Sequence, residues 1–226
     1  MEALSNSFKP AVRQQESLLA PLEKRTLHWL AERMPARVGP DHLTLLGFAA
    51  MVAAGGCYYL SRYDARALLG VIVLLAVNWF GDSLDGTLAR YRQRQRPRYG
   101  FYVDHIVDVF GTLALLGGLG LSPYMSGTVA LGLLLAYFML SIEVYLATYT
   151  IGVFRLSFGW WGPTELRILL AVGNAVLFLK PRVTINGTAF LLADVGAVVA
   201  MVGIVMATIV SVVQNTARLY HEERIP

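Results

Sequence analysis

The sequence predicts an all-α integral membrane protein of six transmembrane helices preceded by an amphipathic surface helix. Three observations carry that prediction. Of the 226 residues, 56% are hydrophobic and 15% charged, whereas soluble domains carry about 25% charged residues. Apolar runs approaching the roughly 20 residues that a span requires recur six times. Finally, Lys and Arg fall mostly on one side of the resulting topology.

The elements follow in order. Before the first span, Leu18, Leu19, Leu22, Trp29, Leu30 and Met34 recur at near-helical spacing, with Glu23, Lys24, Arg25, Glu32 and Arg33 between them. That pattern reads as a helix lying on the membrane surface, or as a soluble helix packed on a partner protein. Pro35 and Pro40 bracket its end, since proline does not continue a helix. The six apolar runs are Thr44 to Leu60, Ala67 to about Tyr91, Phe101 to Leu121, Met125 to Ile151, Pro163 to Leu179 and Thr188 to Val213. The chain thus divides into an N-terminal juxtamembrane segment, 1–40, and a transmembrane domain, 41–226. No cleavable leader is evident, because the first forty residues mix Lys, Arg, Glu and Pro. Cys57 is the single cysteine, which excludes an intramolecular disulfide.

Charge gives orientation. Fifteen of the 19 Lys and Arg residues fall at the N-terminus, between Arg90 and Arg98, at Arg155 and Arg167, and near the C-terminus. The other side holds Arg62, Arg66, Lys180 and Arg182. Cationic loops stay in the cytoplasm, so both termini are expected there, with the cell inner membrane the expected location.

The chemistry is concentrated where the second and third spans meet. The sequence reads Gly81-Asp82-Ser83-Leu84-Asp85-Gly86-Thr87-Leu88-Ala89-Arg90, then, after an arginine-rich stretch, Gly100-Phe101-Tyr102-Val103-Asp104-His105-Ile106-Val107-Asp108. Ionisable groups in a membrane domain are costly unless paired or solvated. Asp82, Asp85 and Ala89 share one helix face, and so do Gly100, Asp104 and Asp108. A short loop makes the two helices antiparallel neighbours, so four carboxylates converge. Like charges that close repel, and two divalent cations with a preference for hard oxygen ligands, Mg²⁺ or Mn²⁺, would neutralise them. Two-metal sites suit phosphoryl transfer. Gly86, Ala89 and Gly100 leave bare helix surface for phosphates to approach, and Arg90 offers a bidentate phosphate ligand. The competing reading has these acids paired with the nearby arginines.

The spacing D-x2-D-G-x2-A-R followed by G-x3-D-x3-D resembles the signature of the CDP-alcohol phosphotransferase family. It is met at Asp82, Asp85, Gly86, Ala89, Arg90, Gly100, Asp104 and Asp108. Pro40-Asp41-His42-Leu43-Thr44 is similar to the family's Pro-Asn-x-x-Thr, with Asp41 in place of Asn. The resemblance implies cleavage of the phosphoanhydride of a CDP-linked alcohol, transfer of the substituted phosphoryl group to an acceptor hydroxyl, and release of CMP. It implies Asp82, Asp85 and Asp104 as metal ligands, and Asp108 as both metal-associated and general base. It places the nucleotide against Asp85, Gly86, Ala89 and Arg90, with Gly100 and Thr44 beside it. It also makes a homodimer the expected assembly. Membrane lipids are the expected surroundings, and no nucleic-acid partner is expected.

Substrate choice is less defined. The stretch from Asp104 to Val109 matches neither the D-P-x-A-D-K of phosphatidylglycerophosphate and cardiolipin synthases nor the D-S-x-x-D-R of inositol-type members. The Asp104-His105 pair is similar to choline and ethanolamine phosphotransferases, which makes His105 either a second catalytic group or an interhelical hydrogen-bond partner. CDP-diacylglycerol with a small polar alcohol is the first reading of the substrates. A CDP-amino-alcohol with a diacylglycerol-like lipid is the second.

Arg155, Glu165 and Arg167 are candidates for acceptor binding, the two arginines especially if the acceptor carries phosphate; surface anchoring is the plainer alternative. Glu143, inside the fourth span, either lines the acceptor pocket or pairs with a polar neighbour. Arg92, Arg94, Arg96 and Arg98 are expected at anionic headgroups, and Asn78 and Asn174 are candidate interhelical partners. A divalent-cation transporter would need acids near the midplane and a polar path to both faces, which the one-sided cluster does not offer. A non-catalytic scaffold would need none of the four acids.

Overall fold

The structure is a computed structural model describing residues 12–14, 17–155 and 162–223, with 12–14 and 153–155 described by backbone alone. Seven helices dominate it: α1 (Ala20–Arg33), α2 (Pro40–Leu60), α3 (Ala67–Tyr91), α4 (Pro97–Gly120), α5 (Gly127–Ile151), α6 (Pro163–Leu179) and α7 (Leu192–Glu222). Two short strands, β1 (Val12–Gln14) and β2 (Val153–Arg155), pair in parallel. Two more, β3 (Arg182–Ile185) and β4 (Thr188–Leu191), form an antiparallel hairpin.

Five helices, α2, α3, α4, α5 and α7, are long and apolar enough to cross a membrane. Their outward surfaces agree with that. On α7, Val199, Val202, Met206, Ile209 and Val213 are all more than half exposed, an apolar surface that water would not tolerate over such an area. The six-span expectation is therefore met at five helices by length and apolarity. The fifth expected span, α6, has 17 residues, about 25 Å at a rise of ~1.5 Å per residue.

The sixth expected span also starts later than its apolar run suggests. Thr188 to Leu191 belongs to β4, and α7 begins at Leu192. The cause is the Asn186-Gly187 pair, which adopts φ of 50° and 82°. Two consecutive left-handed residues form the tight two-residue turn of a hairpin, so the chain reverses before it becomes helical.

The bundle is organised around α2, which packs on α3 and α4. The approach is close enough to need glycine at two points. A methyl group on Gly81 of α3 would lie 2.5 Å from the Leu43 carbonyl oxygen and 2.6 Å from the Gly47 nitrogen of α2. A methyl group on Gly118 of α4 would fall on the backbone of Gly55, its carbonyl carbon at 2.6 Å. Small residues permit such backbone contact between membrane helices, where packing rather than water exclusion drives association. Around the lower crossing lies the main core, with Tyr58, Leu68, Val71, Leu75, Leu115 and Leu119 buried. Asn174 of α6 donates to the Tyr58 hydroxyl across 2.7 Å.

α1 buries one face against the bundle and leaves another, apolar face uncovered. Ala20, Glu23, Leu27 and Ala31 are buried, and α1 packs on α3 through Leu27 and Ala31 against Leu84 and Leu88. Of the expected apolar stripe, Leu18, Leu22 and Trp29 are exposed, on the side of the helix turned away from the bundle. A helix with two apolar stripes uses the one that matches a neighbour's ridge. Arg92 ties this arrangement to α3 by donating to the carbonyls of Met34, Pro35 and Val38, in the turn that follows α1. Arg96 ion-pairs with Asp41. Arg92 and Arg96, both expected at headgroups, thus have protein partners. On the far side, Asp194 of α7 accepts from the Ser126 amide at 2.8 Å and from its hydroxyl, fastening α7 to the start of α5.

Gly118→Ala is expected to destabilise the bundle by about 1–3 kcal/mol, the usual range for overpacking. The neighbouring Gly117→Ala, where an added methyl group meets nothing within 4 Å, should leave thermal unfolding in detergent unchanged.

Candidate active site

The rotation of α3 is set by its apolar residues. Leu84 and Leu88 are fully buried and Gly81 abuts α2, so the adjoining face of α3 carries Asp82, Asp85, Gly86 and Ala89. On α4, Gly111 and Leu115 are buried, and the same face continues upward through Asp108 and Asp104 at helical spacing. The packing surfaces of both helices therefore run directly into the acids.

Carboxylate oxygens of Asp82, Asp104 and Asp108 lie within 4.8 Å of one another. Three anionic oxygens that close repel unless a cation lies among them. Hard oxygen donors from two rigid helices fit Mg²⁺ or Mn²⁺. Asp85 is not part of this group of three. Its Oδ2 accepts from the Thr44 hydroxyl at 2.5 Å and its Oδ1 from the Gly86 amide. Thr44, one turn before Gly47, thus links α2 to the motif of α3.

The remaining motif residues surround this centre. Arg90 donates to the Thr87 hydroxyl at 3.1 Å and lies over Gly86, where a methyl group would meet its Nη1 at 3.3 Å. Ala89 is half-buried. Gly100 is exposed, and a methyl group there would meet nothing within 4 Å. The bare surface expected at Gly100 is present; at Gly86 the Arg90 side chain covers it.

His105 is held from three directions. Its Nδ1 lies 2.6 Å from the Phe101 carbonyl oxygen and 3.8 Å from Asp104 Oδ2. Its ring stacks on Phe101 at 4.0 Å and meets Tyr145 edge-on at 4.7 Å. With Nδ1 donating to the carbonyl, the neutral ring presents Nε2 as acceptor. Tyr145 was not among the residues singled out in the sequence, nor was Tyr137, which also lies within electrostatic reach of Asp108. The signal was present: Tyr137, Ser141 and Tyr145 recur every four residues in an otherwise apolar span.

The acceptor-binding candidates divide. Arg167 of α6 reaches the cluster, its Nη2 donating to Asp82 Oδ2 at 2.5 Å and its Nε to Asn78 Oδ1 at 2.8 Å. Glu165 does not: Oε1 accepts from the Leu19 amide at 2.8 Å and Oε2 from the Gly162 amide at 3.0 Å. Both oxygens are used where a helix start needs acceptors, so the carboxylate faces protein. Glu143 faces α7, with Oε1 accepting from Ser211 at 2.8 Å and Asn215 at 2.7 Å, the polar pairing that was its alternative reading. The side chain of Arg155 lies outside the described residues. Asn78 bridges three helices, since its Nδ2 also donates to the Gly47 carbonyl at 3.0 Å.

Comparison with known proteins agrees with this geometry. The chain is 29% identical over 126 residues to an archaetidylinositol phosphate synthase of Pyrococcus horikoshii, covering 55% of this chain and 64% of that protein. It is 30% identical over 141 residues to the archaetidylinositol phosphate synthase of Methanothermobacter thermautotrophicus, covering 60% of this chain and 63% of that one. The matched region thus spans slightly under two thirds of each relative. The pattern of CDP-alcohol phosphatidyltransferases matches residues 37–213, which takes in all of α2 to α6, the whole acidic cluster and most of α7, and the chain belongs to that family.

Proposed function

We propose that this protein transfers a phosphatidyl-type group from a CDP-linked lipid, CDP-diacylglycerol or a close analogue, to a phosphorylated polyol of the inositol phosphate type, releasing CMP. The observation that carries the reading is the convergence of Asp82, Asp104 and Asp108 within 4.8 Å, with Arg167 bonded to the first of them. The relatives' names add the acceptor class. An arginine at the edge of a carboxylate site suits a substrate that brings its own phosphate.

In this reading Asp82, Asp104 and Asp108, together with Asp85, would hold the divalent cations, which would supply charge neutralisation at the donor phosphates. Arg90 and the backbone beside Gly86 receive the cytidine-side phosphate, and Gly100 leaves room opposite. Thr44 holds Asp85 in one rotamer. Asp108 takes the proton of the acceptor hydroxyl as its oxygen bonds to the lipid-bearing phosphorus. The phosphoanhydride bond to CMP breaks, and CMP leaves with that electron pair. His105, held by the Phe101 carbonyl and Tyr145, assists the proton transfer. Arg155 joins Arg167 at the acceptor phosphate.

The membrane placement belongs to the same proposal. α6 completes a six-crossing bundle, with the termini and cluster on the cytoplasmic side of the cell inner membrane. The one-sided distribution of Lys and Arg supports this. The exposed Leu18, Leu22 and Trp29 of α1 rest at the lipid interface, and two copies of the chain associate. A second reading, transfer from CDP-choline or CDP-ethanolamine to a diacylglycerol, is favoured by His105 alone.

CMP release in detergent with Mg²⁺ or Mn²⁺ tests both readings. CDP-diacylglycerol with inositol phosphate should give turnover that chelation and Asp108→Asn each abolish. Turnover only with CDP-choline or CDP-ethanolamine would instead establish the second reading. No CMP with any donor and acceptor pair, from well-folded protein, would sink the proposal. Thr44→Val should leave the fold intact but weaken kcat/KM for the donor by about 1.5–3 kcal/mol, the worth of a hydrogen bond to a charged group.

A further inference from the structure

Arg167 is bonded through two of its three guanidinium nitrogens. Nη2 holds Asp82 and Nε holds Asn78. Nη1 is buried and has no hydrogen-bond partner among the described residues. The side chain is 16% exposed, and that of Asp82 22%. Buried guanidinium nitrogens are rarely left unpaired, so this geometry suits a group that exchanges partners.

A place for the charge to settle lies nearby. Glu23 of α1, only 7% exposed, attracts Arg167, as do Asp82 and Asp108. Glu23 Oε1 accepts from Trp79 of α3 at 3.0 Å and from Thr164 of α6 at 2.6 Å. Its carboxylate therefore spans the two helices that carry Asp82 and Arg167. Releasing a buried arginine from its only carboxylate would be prohibitive. Here a second carboxylate lies within electrostatic range and Asn78 retains the Nε anchor.

We propose that Arg167 sets the cation affinity of the carboxylate cluster by competing with the divalent cation for Asp82. Cation binding draws Asp82 Oδ2 away from Nη2. The guanidinium stays tethered by Asn78 and stabilised by Glu23, and it then presents two nitrogens to an incoming anion. The inference rests on the metal reading above and adds an order of events: the cation binds first, and its arrival prepares the anion site. By linkage, an anion on Arg167 must raise cation affinity by the same factor that the cation raises anion affinity.

The test is equilibrium binding of Mn²⁺ to the full chain in detergent, followed by the EPR signal of free Mn²⁺, without substrates or turnover. Arg167→Gln should bind Mn²⁺ about ten-fold more tightly than the unmodified protein, within the roughly 5- to 150-fold range of site-to-site couplings. Arg167→Lys, which keeps the charge, should remain close to the unmodified affinity. Sulfate should tighten Mn²⁺ binding to the unmodified protein and have no such effect on Arg167→Gln. Should Arg167→Gln not fold, Asn78→Ala, which loosens the Nε anchor, should shift affinity in the same direction by a smaller factor. Unchanged or weaker binding in the folded variants, with the unmodified protein binding normally, overturns this inference and leaves the metal reading standing. No Mn²⁺ bound by the unmodified protein overturns both.

Discussion

The backbone contact of α2 with its two neighbours is the constraint on which the rest depends. At Gly81 the α3 backbone lies against Leu43 and Gly47, and at Gly118 the α4 backbone lies against Gly55. With both helices held in backbone contact with α2, their distance from each other is limited. The residue after Gly81 is Asp82, so the close contact and the first cluster acid share a turn. Thr44 reaches Asp85 from the same stretch of α2. A wider crossing would separate the carboxylates of Asp82, Asp104 and Asp108 beyond the span of one cation.

A second layer is polar. Glu23, Trp79 and Thr164 form one set of hydrogen bonds through α1, α3 and α6, and Arg167, Asn78 and the Gly47 carbonyl form another through α6, α3 and α2. In a lipid environment each such bond contributes on average only about 0.6 kcal/mol. Their value is geometric: they fix where α6, whose direct packing is on α3 and only slightly on α7, places its arginine. Polar networks of this kind constrain position because unpaired members are costly. The α5–α7 pair uses the same device away from the cluster, with Glu143 between Ser211 and Asn215 and Asp194 at Ser126.

Family membership and geometry bear on different questions. The match over residues 37–213 establishes the class to which the chain belongs. The side chains around the cluster bear on which substrates it takes. His105, stacked on Phe101 and braced by Tyr145, occupies a position where two substrate classes diverge in sequence. Arg167, bonded to Asp82, sets a cation beside the carboxylates. The two signals differ in kind: one is a resemblance, the other a bond.

The local features were legible in the order of residues. Apolar run lengths located the five long helices, and periodicity put Asp82 with Asp85 and Asp104 with Asp108 on single helix faces. Spacing can do this because a helix converts sequence distance into angle. Asn78 and Asn174 were legible as interhelical partners because an amide in an apolar run needs one. The Asn186-Gly187 turn was equally local, although the apolar residues after it obscured the hairpin. Only the tertiary structure decided which carboxylates meet: Asp82, Asp104 and Asp108 together, and Asp85 with Thr44. It also decided which stripe of α1 is buried, and that Glu165 caps a helix while Arg167 reaches the cluster two residues later. The reason is physical. Those outcomes depend on the distance and rotation between helices, which Gly81, Gly118, Leu84 and Leu88 set through contacts with residues far away in the chain.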